Sequence, residues 1–223
     1  MAKSRRASTQ APHLDPVHHG TLRPGTPDLL VDDADLEGLA FTDLDVPLLS
    51  LGGASLDGCA LSGVVAAEAD WRSTQLRETT FERLNVPVMR APRGVWRDVV
   101  LTGARLGSVE AYETSWQSVH FVGCKLSFVN LRGAELLDVA FTDCVVEELD
   151  LLSTSARRVA FRGTRIGRLN LQQARLEHVD LRGCELEELD GLDGLRGVTV
   201  SPAQLDLLAP LLARDKGLKV EGD

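Results

Sequence analysis

The chain has 223 residues, 43% of them apolar and 26% charged, with a net charge of −9, which is enough material for one packed domain with short appendages. No apolar run reaches the length of a membrane span or of a signal-peptide core, and a chain this acidic is not expected to hold nucleic-acid phosphates directly. A cytoplasmic protein is expected.

Residues 1–30, MAKSRRASTQAPHLDPVHHGTLRPGTPDLL, are rich in Pro, Ser, Thr, His and Arg and show no periodicity. They read as a disordered tail. His13, His18 and His19 fall in it, where a solvated linker accounts for them better than a metal site.

From Leu36 to Leu186 every fifth residue is Leu, Phe, Val, Ile, Trp or Ala, thirty-one times in one register. All three Trp (Trp71, Trp96, Trp116) and five of the six Phe occupy that position. A second column, two residues earlier, holds Ala, Val, Leu, Cys, Thr, Met89 and Gly94 and never a charge. A period of five fits neither an amphipathic helix nor a half-buried strand. It points to a solenoid, whose units bury their apolar face by stacking on one another.

Val129-Asn130-Leu131-Arg132-Gly133 and Val179-Asp180-Leu181-Arg182-Gly183 carry small, Asp or Asn, Leu, Arg, Gly in order, and Ala34–Gly38 and Cys59–Gly63 come close. On these segments the chain resembles the pentapeptide-repeat family. The resemblance implies an all-β fold, a right-handed quadrilateral parallel β-helix of about eight 20-residue coils over residues 31–195. The sequence supports a 20-residue coil independently: centres 41, 61, 81, 101, 121, 141, 161 and 181 hold every central Phe, and Trp96 and Trp116 are also twenty apart. Each Trp is accompanied by a central Ala (Ala66 with Trp71, Ala91 with Trp96, Ala111 with Trp116), as constant packing density within one cross-section requires.

The register sorts inward from outward residues, and little chemistry is left outside. Cys59, Cys124, Cys144 and Cys184 fall in the small inward column as fillers, with no Cys-x-x-Cys spacing. There is no phosphate loop, dinucleotide fingerprint, His-Glu-x-x-His or nucleophile elbow. No enzyme, cofactor or metal site is expected.

Residues 196–223 are expected to hold a strand, a helix and a cap or dimerisation segment. Ser201-Pro202-Ala203-Gln204 forms a capping box with Pro at the first helical position. Leu205, Leu208, Leu211 and Leu212 follow at helical spacing, Pro210 is expected to kink or divide the helix, and Leu218-Lys219-Val220 could return as a strand. The helix would cover the open strand edge of the stack. The ending also resembles that of the quinolone-resistance branch of the family, which implies a homodimer through this helix.

That same branch implies a protein partner, a type II topoisomerase such as DNA gyrase, bound by a rod that mimics DNA and protects the enzyme from inhibitors. Residues 32–190 carry 26 acidic and 16 basic side chains. A duplex of about the same length bears roughly twice the net charge. Acidic clusters at Glu147-Glu148 and Glu185, Glu187, Glu188 are separated by a coil with Arg165 and Arg168, an alternating ladder. The face outside the Phe column is flat and weakly charged, with Ala40, Thr42, Ala60, Ser62, Thr80, Val100, Thr102, Gly103, Ala140 and Thr142. It offers the alternative function, a scaffold for another cytoplasmic protein. Tyr112 and Phe128 are the only outward aromatics expected, and aromatics anchor interfaces.

Overall fold

The computed structural model describes residues 8–221. The repeat folds as a parallel β-solenoid in which each 20-residue coil contributes to two sheets, one of twelve strands and one of eight. In the regular coils an eight-residue strand such as Gln75–Glu82 alternates with a six-residue one such as Asn85–Arg90. Every ladder in the repeat pairs residues twenty apart, for example Trp96 with Trp116 and Phe121 with Phe141. The column prediction is met in detail.

Corners rather than strands set the cross-section. The residue two after the centre has left-handed φ at three of the four corners of a coil, as at Glu78, Arg83 and Arg93. Only glycine adopts that region without cost, so the Gly that closes the family pattern belongs at this position. Gly53, Gly63, Gly103, Gly123, Gly133, Gly163 and Gly183 all take it.

The inward columns form one continuous core. Phe121, Phe141 and Phe161 stack with ring centroids 4.8 and 5.1 Å apart and planes within 8°. Trp96 and Trp116 stack at 4.9 Å. These distances equal the strand spacing, because identical side chains at successive levels of a parallel stack have no other separation available. Ala66, Ala91 and Ala111 are fully buried beside the indoles. Gly94 also makes room: a Cβ there would lie 3.0 Å from Trp96 Nε1. The indole N–H groups of Trp71, Trp96 and Trp116 are buried without partners among the described residues, a polar cost accepted for their volume.

Both ends of the stack are closed. Arg23–Pro24 adds a two-residue strand below Leu39–Ala40, and Val198–Thr199 adds one above Val179–Asp180. Gly25 crosses the end of the Phe column so closely that a Cβ would overlap the Phe41 ring. At the other end, helix α1 (Pro202–Asp215) starts with the expected capping box: Gln204 N–H donates to Ser201 Oγ at 3.2 Å, and Ser201 N–H donates to Gln204 Oε1 at 2.8 Å.

Three expectations at the termini are revised. Pro210 does not divide α1, which runs continuously for 14 residues. Its exposed position leaves the freed carbonyl open to water. Leu218–Val220 forms no strand and is exposed, because the stack's last edge is already occupied by Val198–Thr199. Residues 1–7 of the expected tail lie outside the described residues, but residues 8–22 are not free. They run along the whole rod without regular secondary structure.

Candidate interaction surfaces

The structure draws some of the sequence-predicted residues together and separates others. Phe128 lies between Ser108 and Glu148 in the ladder of the eight-stranded sheet, and Glu148 is followed by Arg168 and Glu188. Phe128, Glu148 and Glu188 therefore share one outward column, with exposed Glu147 and Glu187 in the column beside it. Glu185 pairs with Arg165 in register at the same end. Tyr112 sits apart, half-buried in a corner between the sheets.

The alternating ladder is present, but its arginine is engaged elsewhere. Arg168 donates to Asp190 Oδ2 at 2.8 Å rather than to either flanking glutamate. The same pattern recurs over the surface, where Arg132 holds Asp150, Arg158 holds Asp138 and Arg182 holds Asp180. Pairs of this kind consume acidic charge. The carboxylates of Glu147, Glu148, Glu185, Glu187 and Glu188 are in no ion pair among the described residues, and neither are those of Asp32, Asp33, Asp35, Glu37, Asp43 and Asp45 at the other end of the rod.

At the C-terminal end α1 meets the last coil through Leu208 and Gln204. Leu208 is buried and Leu212 half-buried, whereas Leu205 and Leu211 are exposed. Leu207, which the helical spacing did not single out, is 76% exposed. Gln204 does more than cap the helix: its Nε2 donates to the carbonyls of Leu181 and Cys184 at 2.7 and 2.8 Å, satisfying acceptors of the last coil.

The flat, weakly charged face carries an element that sequence reasoning missed. Residues 8–22 descend along it from the C-terminal end to the first coil. Thr9 hydroxyl meets that of Thr199, His13 N–H donates to Asp138 Oδ1 at 2.8 Å, Asp15 N–H donates to Ser118 Oγ at 3.1 Å, and His19 Nε2 bonds Thr80 Oγ1 at 2.8 Å. Pro12, Leu14, Val17 and Leu22 are half-buried against the rod, and Ser118, Asp138 and Ala140 are buried beneath the segment's path. The signal in the sequence was faint: apolar residues two to five apart in a stretch otherwise composed like a linker.

Electrostatics on this face follow the contacts. Burial alone would raise the Asp138 carboxyl, but the Arg158 guanidinium and the His13 N–H outweigh it and hold the group below its ordinary range. Burial pushes His120 below its ordinary value; its Nε2 lies 2.9 Å from Thr142 Oγ1. Inside, all four cysteines are buried free thiols. Burial pushes Cys184 up to about 12 and also raises Cys59, which keeps these sulfurs protonated and poor nucleophiles. Among the described residues no three His, Cys, Asp or Glu side chains gather as a metal site, and no helix is long and apolar enough to cross a membrane.

A loop-free parallel β-solenoid with a five-residue register and outward-facing, non-converging polar groups defines a class of stacked-coil rods. Residues 114–190 match the family described as pentapeptide repeat region. The same register and the same 20-residue ladders run without a break through the coils before them, so the five-residue repeat extends well beyond the matched residues. None of the curated proteins matches the sequence. Among solved structures the chain is similar to a trypsin-treated variant of QnrB1, a plasmid-mediated fluoroquinolone resistance protein, at 17% identity over 89% of this chain and 95% of that one, with a TM-score of 0.33. Full-length QnrB1 aligns at 18% identity over 85% and 94%, with a TM-score of 0.23. HetL, a pentapeptide repeat protein involved in heterocyst differentiation regulation from the cyanobacterium Nostoc sp. strain PCC 7120, aligns at 16% identity over 75% and 87%, with a TM-score of 0.19.

Proposed function

We propose that this protein is a non-catalytic cytoplasmic rod that binds a type II topoisomerase, DNA gyrase, in the place of DNA and so modulates it or shields it from inhibitors. The observation that carries the reading is the column of the eight-stranded sheet in which the aromatic Phe128 adjoins Glu148 and leads to Glu188, with Glu147, Glu185 and Glu187 beside it and no ion pair consuming them. Carboxylates in excess around an aromatic anchor, with Arg168 between Glu148 and Glu188 drawn aside to Asp190, suit a basic surface built to hold phosphates. Coils spaced about 4.8 Å apart place this column on a rod on the order of 37 Å long with no loop to obstruct docking. Two rods joined through Leu205, Leu207 and Leu211 of α1 would double that length, and sedimentation of the purified protein tests for the dimer.

A supercoiling assay tests the partner. Purified protein is expected to inhibit gyrase, or to rescue it from a fluoroquinolone, and Phe128→Ala with Glu148→Lys is expected to abolish the effect. No effect of the wild-type chain at high molar excess would overturn the reading. The alternative, a scaffold for a different cytoplasmic protein, draws on the weakly charged face under residues 8–22.

A further inference from the structure

We propose that the flat face beneath residues 8–22 is a peptide-binding surface, that it takes an extended, apolar segment of a partner protein, and that the chain's own N-terminal segment is its resident and displaceable occupant. The inference deepens the scaffold reading and is independent of gyrase.

The face shows its preference through what lies on it. The rod-facing residues of the segment are Thr9, Pro12, Leu14, Val17, His19 and Leu22, each half-buried, while the residues between them are mostly exposed. The backbone is fixed at two levels by its own N–H groups, from His13 to Asp138 and from Asp15 to Ser118. Between Thr9 and His19 ten residues of segment pass six coils of rod, about 2.9 Å per residue, close to the pace of an extended, polyproline-like chain. A ligand of this face is recognised by an extended backbone presenting N–H donors and by apolar side chains at short, irregular spacing. An acidic side chain opposite Asp138 is disfavoured by like charge. Asp138 is 5% exposed and already held as the anion by Arg158, so the acceptor is built into the rod.

The occupant is held loosely enough to leave. Among the described residues it forms no ladder with the rod above Arg23, its hydrogen bonds run to scattered side chains, and His19 Nδ1 is buried without a partner. An orphaned polar atom costs free energy, and a segment with few buried contacts belongs to the low-stability end of a fold. Its tether supplies the rest. The covalent connection through residues 20–22 to the strand Arg23–Pro24 presents the segment at an effective concentration in about the millimolar range, so a peptide of roughly micromolar intrinsic affinity masks the face about a thousandfold. A partner segment engages when it outcompetes this strap.

The test uses the full chain. Leu14→Asp with Val17→Asp alters only residues outside the solenoid core, and circular dichroism and thermal melting establish that the rod is intact. A fluorescein-labelled synthetic peptide with the sequence of residues 8–22 is titrated into wild-type and variant protein, and amide exchange at His13 and Asp15 is followed in both. The wild type should protect the two amides and bind the peptide about a thousandfold more weakly than the variant, or not at all. The variant should lose the protection and bind the peptide, and a peptide carrying the same two substitutions should not bind. Unprotected amides in the wild type, a folded variant that fails to bind, or equal binding by both proteins would each overturn the proposal.

Discussion

The backbone N–H of His13 donates to Asp138 Oδ1 at 2.8 Å, linking residues 125 apart in sequence and making one carboxylate serve both a coil-to-coil ion pair and the N-terminal segment. Without Asp138 the Arg158 guanidinium loses its partner and the strap loses its only backbone bond to a charged group. The single residue couples the stability of the stack to the masking of its flat face.

Acid should release that coupling late. Asp138 is depressed below its ordinary value of 3.8, so its contribution is complete above that pH and is lost only as pH falls through the still lower folded value. Exchange protection of the His13 amide is expected to be constant from pH 7 to pH 5. Loss of protection within that window would show that another group governs the strap.

His120 should act earlier. Its folded pKa lies below the ordinary 6.5, so the unfolded chain takes up the proton first, and stability present above 6.5 is lost as pH falls toward the folded value. Melting temperatures of wild type and His120→Gln at pH 7.5 and pH 5.5 check this. The wild type should lose more on acidification, and parallel losses would refute the assignment.

Phe121 and Thr102 separate inside from outside. Phe121 is 3% exposed and stacked 4.8 Å from Phe141, whereas Thr102 is exposed on the same strand layer. Phe121→Asp buries an unpaired charge and removes a ring, costing more than about 4 kcal/mol, while Thr102→Asp, facing Glu82 in register, should cost less than about 1 kcal/mol. Equal thermal stability of the two variants would contradict the register.

What was legible in the sequence was whatever repeats. Phe81, Phe121, Phe141 and Phe161 announce a column because they recur at one interval, and the capping box of Ser201 and Gln204 is local and stereotyped. The strap was illegible for the opposite reason. Leu14 and Val17 belong to a segment anchored on residues more than a hundred positions away, their spacing matches no regular element, and Ser118 and Ala140 look like any other outward residue until something lies on them. The Glu148–Arg168–Glu188 ladder was correctly placed, yet its pairing was not, because Asp190 reaches Arg168 from the neighbouring outward column, a geometry that one-column reasoning omits.

Gly107 marks where the stack tolerates no side chain. A Cβ there would overlap the Pro87 carbonyl oxygen of the coil before, and backbone within a ladder cannot move aside. Gly107→Ala is expected to cost about 1–3 kcal/mol, the range for overpacking. Gly20 provides the control, since a Cβ added there would have no neighbour within 4 Å. Gly20→Ala should leave the melting temperature unchanged or slightly raised.

Gln204 closes two structures with one side chain, and its removal should be felt in both. Its Oε1 accepts from Ser201 N–H, and its Nε2 donates to the carbonyls of Leu181 and Cys184 in the last coil. Gln204→Ala deletes all three bonds and leaves those carbonyls to water, for a cost of about 1–2 kcal/mol. In a protein of this size that lowers the melting temperature by roughly 2–8 °C. Leu207→Ala, at a residue 76% exposed on the same helix, should cost less than about 0.5 kcal/mol. The discriminating readout is amide exchange, because Gln204→Ala should deprotect the N-terminal turn of α1 and the last coil together. Deprotection of the helix alone would mean that the last strand edge is sealed by Val198–Thr199, with Gln204 serving only the helix.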